Sequence, residues 1–354
     1  MSGCTFVPVV GRRTDPLFLA KRRRRYFLLR AIVALRRRSQ SPVPVLEWGK
    51  WHFDPADYPL LRQIQAGQGE ILAQSFMGET RFYLDYLKLD TLDACTFPDP
   101  EEAIVFIGLT RFLVHELLKL TGILAASIEV QTIIGAPASP VGTMDVADGL
   151  FSLTLQFVIA HEVGHYVCGH VVDRALHFEF SGPAHRPVNL RRHADEVDAD
   201  AYAILELCRN LLDGDSGSAI VELLPPGGIY GDDQLAALLV ISVTAIFLLH
   251  LSQPRRDLNL AKDKHPPLAY RYHLVIEIIQ HWLKSHDKSA AAVTGEGLHA
   301  IIQAVSDALP TDLRPRWNAQ IDVMESPAGK AYLDALDQMI RTRLGNASEE
   351  GSET

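Results

Sequence analysis

Cysteine is scarce: in a chain of 354 residues only Cys4, Cys95, Cys168 and Cys208 occur, far apart. That spacing builds neither a disulfide framework nor a paired-cysteine zinc site, and such usage fits a reducing cytoplasm. Cys168 is expected as a small buried side chain. No internal repeat and no phosphate-binding glycine loop is present, so nothing points to a solenoid or a nucleotide-binding turn. Long hydrophobic runs are also few. The longest, Leu235 to Leu251, reaches seventeen residues without a Lys, Arg, Asp or Glu, the lower limit of a bilayer span, and is read as a fully buried core helix. Positive charge is confined. Residues 12 to 38 hold eleven Lys and Arg against one acid, which leaves 23 basic and 42 acidic residues for the rest. An acidic body of that kind is a poor nucleic-acid binder, and no nucleic-acid partner is expected.

What is there centres on His161-Glu162-Val163-Gly164-His165. Residues four apart share a helix face, so His161 and His165 can offer two imidazoles to one metal ion. Glu162 projects beside that ion, where a carboxylate can take a proton from water. The apolar run Leu150 to Ala160 leads directly into the motif, as expected of a buried, rigid carrier helix. Gly164 between the histidines would permit close approach of another backbone or of substrate. The plainer reading is a core helix with two surface histidines.

Catalytic zinc takes three protein ligands and keeps an open position, so a third ligand is needed. A second helix, read over Ala194 to Leu212, supplies Glu196 as that ligand. Asp200, four residues on, can hydrogen-bond a ligand histidine and fix its tautomer. Asp195, Glu196 and Asp198 would also suit an ordinary acidic helix start.

Together HEVGHYVCGH (161–170) and DEVDADAYA (195–203) resemble the gluzincin zinc metallopeptidases, in particular the HtpX-like family that includes the CAAX prenyl proteases. His170 matches a further histidine of the first motif, although five residues past His165 it leaves the ligand face. Glu196, Ala199 and Asp200 match the second motif. His265-Pro266-Pro267 and Arg271 match a later His-Pro element with its arginine. The resemblance implies a zinc-dependent endopeptidase whose first histidine is braced by the aspartate. It implies for His265 a role in stabilising the charge of the tetrahedral intermediate, and for Arg271 a role as its partner or as a clamp on the acidic motif. A Pro-rich loop with a solvated histidine is the other reading of His265. The position of the motif after a long first region also resembles the Lit-type phage-exclusion peptidases.

The expected fold is α+β and mostly helical, a zincin-like core with a small sheet edge near the zinc helix. Residues 1–44 read as a basic extension and linker, with Tyr26 to Leu35 flanked by basic clusters; weak contact with an anionic membrane surface is one reading of it. Residues 45–135 read as a helical region, with helices over Glu70 to Lys88 and Glu101 to Leu124 separated by a break at Phe97-Pro98-Asp99-Pro100. This region ends in a strand, Ser127 to Gly135, that would hold extended substrate. The metallopeptidase core is placed at 136–285, with a loop over Pro137 to Gly149 and another over 178 to 193. Helices follow over Tyr270 to Ser285, Leu298 to Leu309 and Gly329 to Leu344, the last two within 286–345. Residues 346–354 read as an acidic disordered tail.

The chemistry expected is peptide hydrolysis by a water activated at one zinc ion, with Glu162 as base, acting on a protein or peptide substrate in the cytoplasm or at a membrane. A zinc-stabilised regulatory protein without turnover, or a host-defence peptidase awakened by infection, are the alternatives.

Overall fold

The computed structural model describes residues 81–87, 94–99, 104–138, 142–170, 190–212, 220–252, 266–288, 291–309 and 313–350. The basic segment, its linker and His265 lie outside the described residues. The chain divides into two compact units, one comprising residues 1–116 and 169–176, the other residues 117–168 and 177–354.

Among its described residues the first unit is built on a three-stranded sheet. Strands β1 (Arg81–Leu87), β2 (Ala94–Asp99) and β3 (Ile104–Thr110) lie in the order β1-β3-β2. β1 runs parallel to β3 from Arg81↔Ile104 to Leu87↔Thr110, and β2 runs antiparallel to it from Ala94↔Leu109 to Asp99↔Ile104. Val105, Ile107 and Leu109 are buried, as befits a central strand. Pro98 falls on an edge strand, where proline within a sheet is tolerated.

These strands correct two helices expected from the sequence. The part of Glu70 to Lys88 that is described is β1, and Glu101 to Leu124 is β3 followed without a break by helix α1 (Arg111–Ala125). A short apolar run such as Ile104-Val105-Phe106-Ile107 has no periodicity that separates a buried strand from a buried helix. Of the expected break, Phe97, Pro98 and Asp99 are instead the last residues of β2, and Pro100 lies outside the described residues.

The second unit is helical. After α1 come α2 (Ile128–Ile133), α3 (Thr143–Val167), α4 (Leu190–Leu212), α5 (Asp232–Ser252), α6 (Leu268–Ser285), α7 (Gly295–Ala308), α8 (Arg314–Glu325) and α9 (Pro327–Glu350). The expected substrate strand at Ser127 to Gly135 is α2. Ser127 caps it, accepting from the Val130 N–H at 3.3 Å, and Gln131 donates to Ala125 O at 2.8 Å. The cap and Glu129 in the first turn outweigh the β-branched residues that suggested a strand. The sheet edge foreseen in that segment is therefore absent.

Helix α3 begins at Thr143 inside the expected loop, and α4 begins at Leu190, while α8 had no counterpart in the sequence reading. α9 continues to Glu350, through most of the expected tail. By length and composition, Thr143–Val167 and Asp232–His250 are long and apolar enough to cross a membrane. In the structure they form the core, with 67% and 83% of their most apolar windows buried. Leu238, Leu239, Val240 and Ile241 are buried in succession, so α5 is enclosed on all sides. The two helices are tied by the Thr154 hydroxyl, 2.7 Å from Leu150 O and 2.9 Å from Ser242 O.

Helix α9 packs on α4 and α6 through Ala194, Val197, Tyr270, Tyr332 and Leu336. The polar atoms of that contact are paired: His193 Nδ1 with the Tyr332 hydroxyl at 2.7 Å, and the Tyr270 hydroxyl donating to Asp337 at 2.7 Å. Neither pairing left a mark in the sequence, since each joins residues more than sixty positions apart.

Candidate metal centre

The site is made where α3 and α4 press together. A Cβ on Gly164 would lie 3.1 Å from both the Cα and the carbonyl oxygen of Ala199, and 3.2 Å from Tyr202 Cβ. Glycine at 164 thus lets the α4 backbone reach α3 at the level of the two histidines. Of the two uses foreseen for that glycine, the structure shows approach of a second backbone.

Across this contact, one face of α3 presents His161 and His165, and one face of α4 presents Glu196 and Asp200. His161 Nε2 lies 3.1 Å from His165 Nε2 and 3.5 Å from Glu196 Oε2; His165 Nε2 lies 3.8 Å from Glu196 Oε1. Donor atoms at about 2.1 Å from a tetrahedral zinc stand about 3.4 Å apart, so the separations among the two imidazoles and the two oxygens of this carboxylate are of the size of a metal-ligand set. Among the described residues it is the one group of His, Cys, Asp and Glu able to hold an ion, its ligand atoms all within 4.8 Å of one another.

Asp200 orients His161. Its Oδ1 stands 2.9 Å from His161 Nδ1, and because a carboxylate can only accept, Nδ1 carries a proton, which leaves Nε2, facing Glu196 and His165, as the nitrogen that can give up its proton to a metal. Asp200 is in turn held by Arg271 of α6, whose Nε donates to Oδ2 and Nη2 to Oδ1, both at 2.6 Å. Asp200 is fully buried and Arg271 is 4% exposed. Phe247 of α5 lies under the guanidinium, 5.3 Å from Cζ to the ring centre, and meets Phe157 edge-on at 6.1 Å; Phe157 stands 6.2 Å from the His161 ring. Arg271 therefore bears on the histidines through Asp200. Nothing in the sequence marks Phe247, one apolar residue in an apolar helix.

Electrostatics explain how these groups share a dry site. Burial raises the Asp200 carboxyl, yet the charge and hydrogen bonds of Arg271 and the contact with His161 hold it below its ordinary value. Burial likewise disfavours a proton on His161, but hydrogen bonds and charge from Asp200 and Glu196 outweigh it and raise the ring to about 9. The carboxylates of Glu196 and Asp200 face one guanidinium, and the excess negative charge calls for a cation. A proton on His161 supplies one; a divalent ion supplies more.

Glu162 follows His161 on α3 and is 9% exposed. It is not one of the three side chains grouped to hold an ion. α3 ends at Val167, before His170, and Gly169 turns the chain with φ 77°. Cys168, expected to be buried, is exposed just past the helix end.

Among known proteins, the model of the family Peptidase U49 matches residues 134–293, which contain the whole of this site. It is the family of the Lit-type peptidases. The match supports a proteolytic function and is consistent with a metallopeptidase. No curated protein and no solved structure matches the chain.

Proposed function

We propose that this protein is a zinc-dependent endopeptidase with His161, His165 and Glu196 as metal ligands and Glu162 as general base. The observation that carries the reading is the cluster itself, the two Nε2 atoms 3.1 Å apart and the two Glu196 oxygens 3.5 and 3.8 Å from them, with the His161 ring turned by Asp200 so that Nε2 faces the cluster. A zinc ion held by those atoms would supply Lewis-acid polarisation of a water and of a peptide carbonyl.

The rest belongs to the chain. Glu162 accepts the proton of the attacking water and returns it to the departing amine. Asp200 keeps His161 in one tautomer and one orientation, and Arg271 keeps Asp200 ionised in a buried place. The packing of α3 on α4 fixes the carrier backbones, so that the groups meet with little reorganisation. His265, read from its resemblance, would stabilise the oxyanion; replacing it by Ala should lower turnover at unchanged zinc content. The substrate is a protein or peptide.

The test is to express the protein and its Glu162→Gln variant in the same cells and map new protein N-termini. Metal content equal in both, with cleavage products from the unaltered protein alone, supports the assignment. Equal products from both remove Glu162 as base, and none from either points to a metal-stabilised regulatory protein. The family match is compatible with a second reading within the same chemistry, a peptidase that acts only when a phage component is present. Cleavage that appears on adding that component, and not otherwise, distinguishes it.

A further inference from the structure

His161, Asp200 and Arg271 form one side of a longer circuit of contacts, and its other side is aromatic. Phe157 precedes His161 by one turn on the same face of α3, and its ring stands 6.2 Å from the imidazole. Phe157 meets Phe247 of α5 edge-on at 6.1 Å, and Phe247 lies under the Arg271 guanidinium, 5.3 Å from ring centre to Cζ. Arg271 forks onto Asp200, whose Oδ1 accepts from His161 Nδ1 at 2.9 Å. The contacts thus return to the imidazole after passing through α3, α5, α6 and α4.

Phe247 is where the aromatic and the polar sides join. It is buried, and it is the one Phe, Tyr or Trp of α5, whose other apolar positions are Leu, Ile, Val and Ala. Its buried neighbours Ile246, Leu248 and Leu249 show that aliphatic side chains fill space along this helix. An aliphatic residue at 247 would supply hydrocarbon contact but no π face. A buried guanidinium can use that face, because the negative side of the ring quadrupole attracts a cation.

The two contacts of Arg271 are complementary. Its fork onto Asp200 fixes it within the plane of the guanidinium, and the ring beneath resists tipping out of that plane. Phe247 is held in turn by edge-on contacts with Phe157 and, at 6.5 Å, with Tyr272, the residue that follows Arg271.

We propose that Phe247 is a positioning residue for the metal centre: its ring face steadies Arg271, and through it Asp200 and His161, while its contact with Phe157 supports the same imidazole from the other side. The proposal rests on the reading of His161 as a metal ligand.

The experiment measures the zinc affinity of the full-length protein, by competition with a chromophoric chelator, with mono-, di- and trifluorinated phenylalanine placed at position 247. Fluorine draws electron density from the ring face while nearly keeping the ring's size, so packing is preserved and attraction for the guanidinium falls stepwise. Affinity should decline along the series, to about threefold weaker with the trifluorinated ring. Phe247→Leu, which has no face, should weaken zinc about tenfold, the lower end of the effect of altering a group that orients a ligand histidine. Leu248→Ala, a cavity one residue along the same helix, should lower the melting temperature yet leave zinc affinity within about twofold. Should Phe247→Leu fail to fold, the fluorinated series decides alone.

A flat affinity across the fluorinated series, or a loss in Leu248→Ala as large as in Phe247→Leu, would overturn the role of Phe247 and leave the ligand set standing. No zinc uptake by the unaltered protein would overturn the ligand set and this inference together.

Discussion

Arg271 and Asp200 form a two-point ion pair in which both carboxylate oxygens receive a guanidinium N–H at 2.6 Å, and Oδ1 also takes His161 Nδ1 at 2.9 Å. Three helices thus meet at one buried carboxylate: α6 supplies its charge partner, α4 carries it, and α3 supplies the imidazole it aligns.

Removing the guanidinium strands a buried negative charge. Arg271→Ala should cost about 3–5 kcal/mol of stability, the usual effect of breaking one side of a buried pair. Arg271→Lys keeps the charge but not the fork, and should fall between the two. Chemical denaturation of the metal-free proteins measures both; a loss below about 1 kcal/mol in Arg271→Ala would show that the pair is solvated.

Asp200→Asn still offers an oxygen to His161 Nδ1–H but loses the charge that Arg271 matches. Metal affinity should drop about 10- to 100-fold, as when other residues that orient a ligand histidine are altered. Competition with a chromophoric chelator gives the number. Unchanged affinity would mean that His161 is oriented by something other than Asp200.

The proton and the metal ion compete for the site. Because His161 is raised to about 9 from an ordinary 6.5, its protonated ring stabilises the metal-free fold fully below about 6.5, and that contribution is lost as pH rises through about 9. Metal binding should displace this proton, so affinity should climb about tenfold per pH unit up to about 9 and then level off. Melting curves with and without zinc across that range test both signs: the metal-free protein weakens with rising pH while the increment from zinc grows.

Gly164→Ala places a methyl group 3.1 Å from the backbone of Ala199, where a rigid chain cannot give way cheaply. Prising α3 from α4 should cost about 1–3 kcal/mol and weaken metal binding along with stability. A variant with wild-type melting and wild-type metal affinity would show that the two helices can slide apart without disturbing the ligands.

The local half of the site was legible in the sequence because a helix repeats every few residues. His161 with His165, and Glu196 with Asp200, each lie four apart, and that spacing alone puts each pair on one face. The same rule explains why α3, α4, α5 and α6 were foreseen with displaced ends: their apolar or amphipathic patterns are long. It fails for β3 and α2, where a few apolar residues fit strand and helix equally and the choice is made by pairing with β1 and β2 or by the Ser127 cap.

The sequence by itself determined which side chains this protein can bring to a metal ion and on which helix faces they stand, since those depend on backbone geometry within a single turn. Tertiary structure alone decided that the two faces meet with their donor atoms 3.1 to 3.8 Å apart, that Gly164 is spent on a backbone contact, and that Arg271, 71 residues away, secures Asp200. The reason is that such contacts depend on how helices distant in the chain bury their apolar sides against one another, and neither spacing nor composition encodes the outcome of that packing.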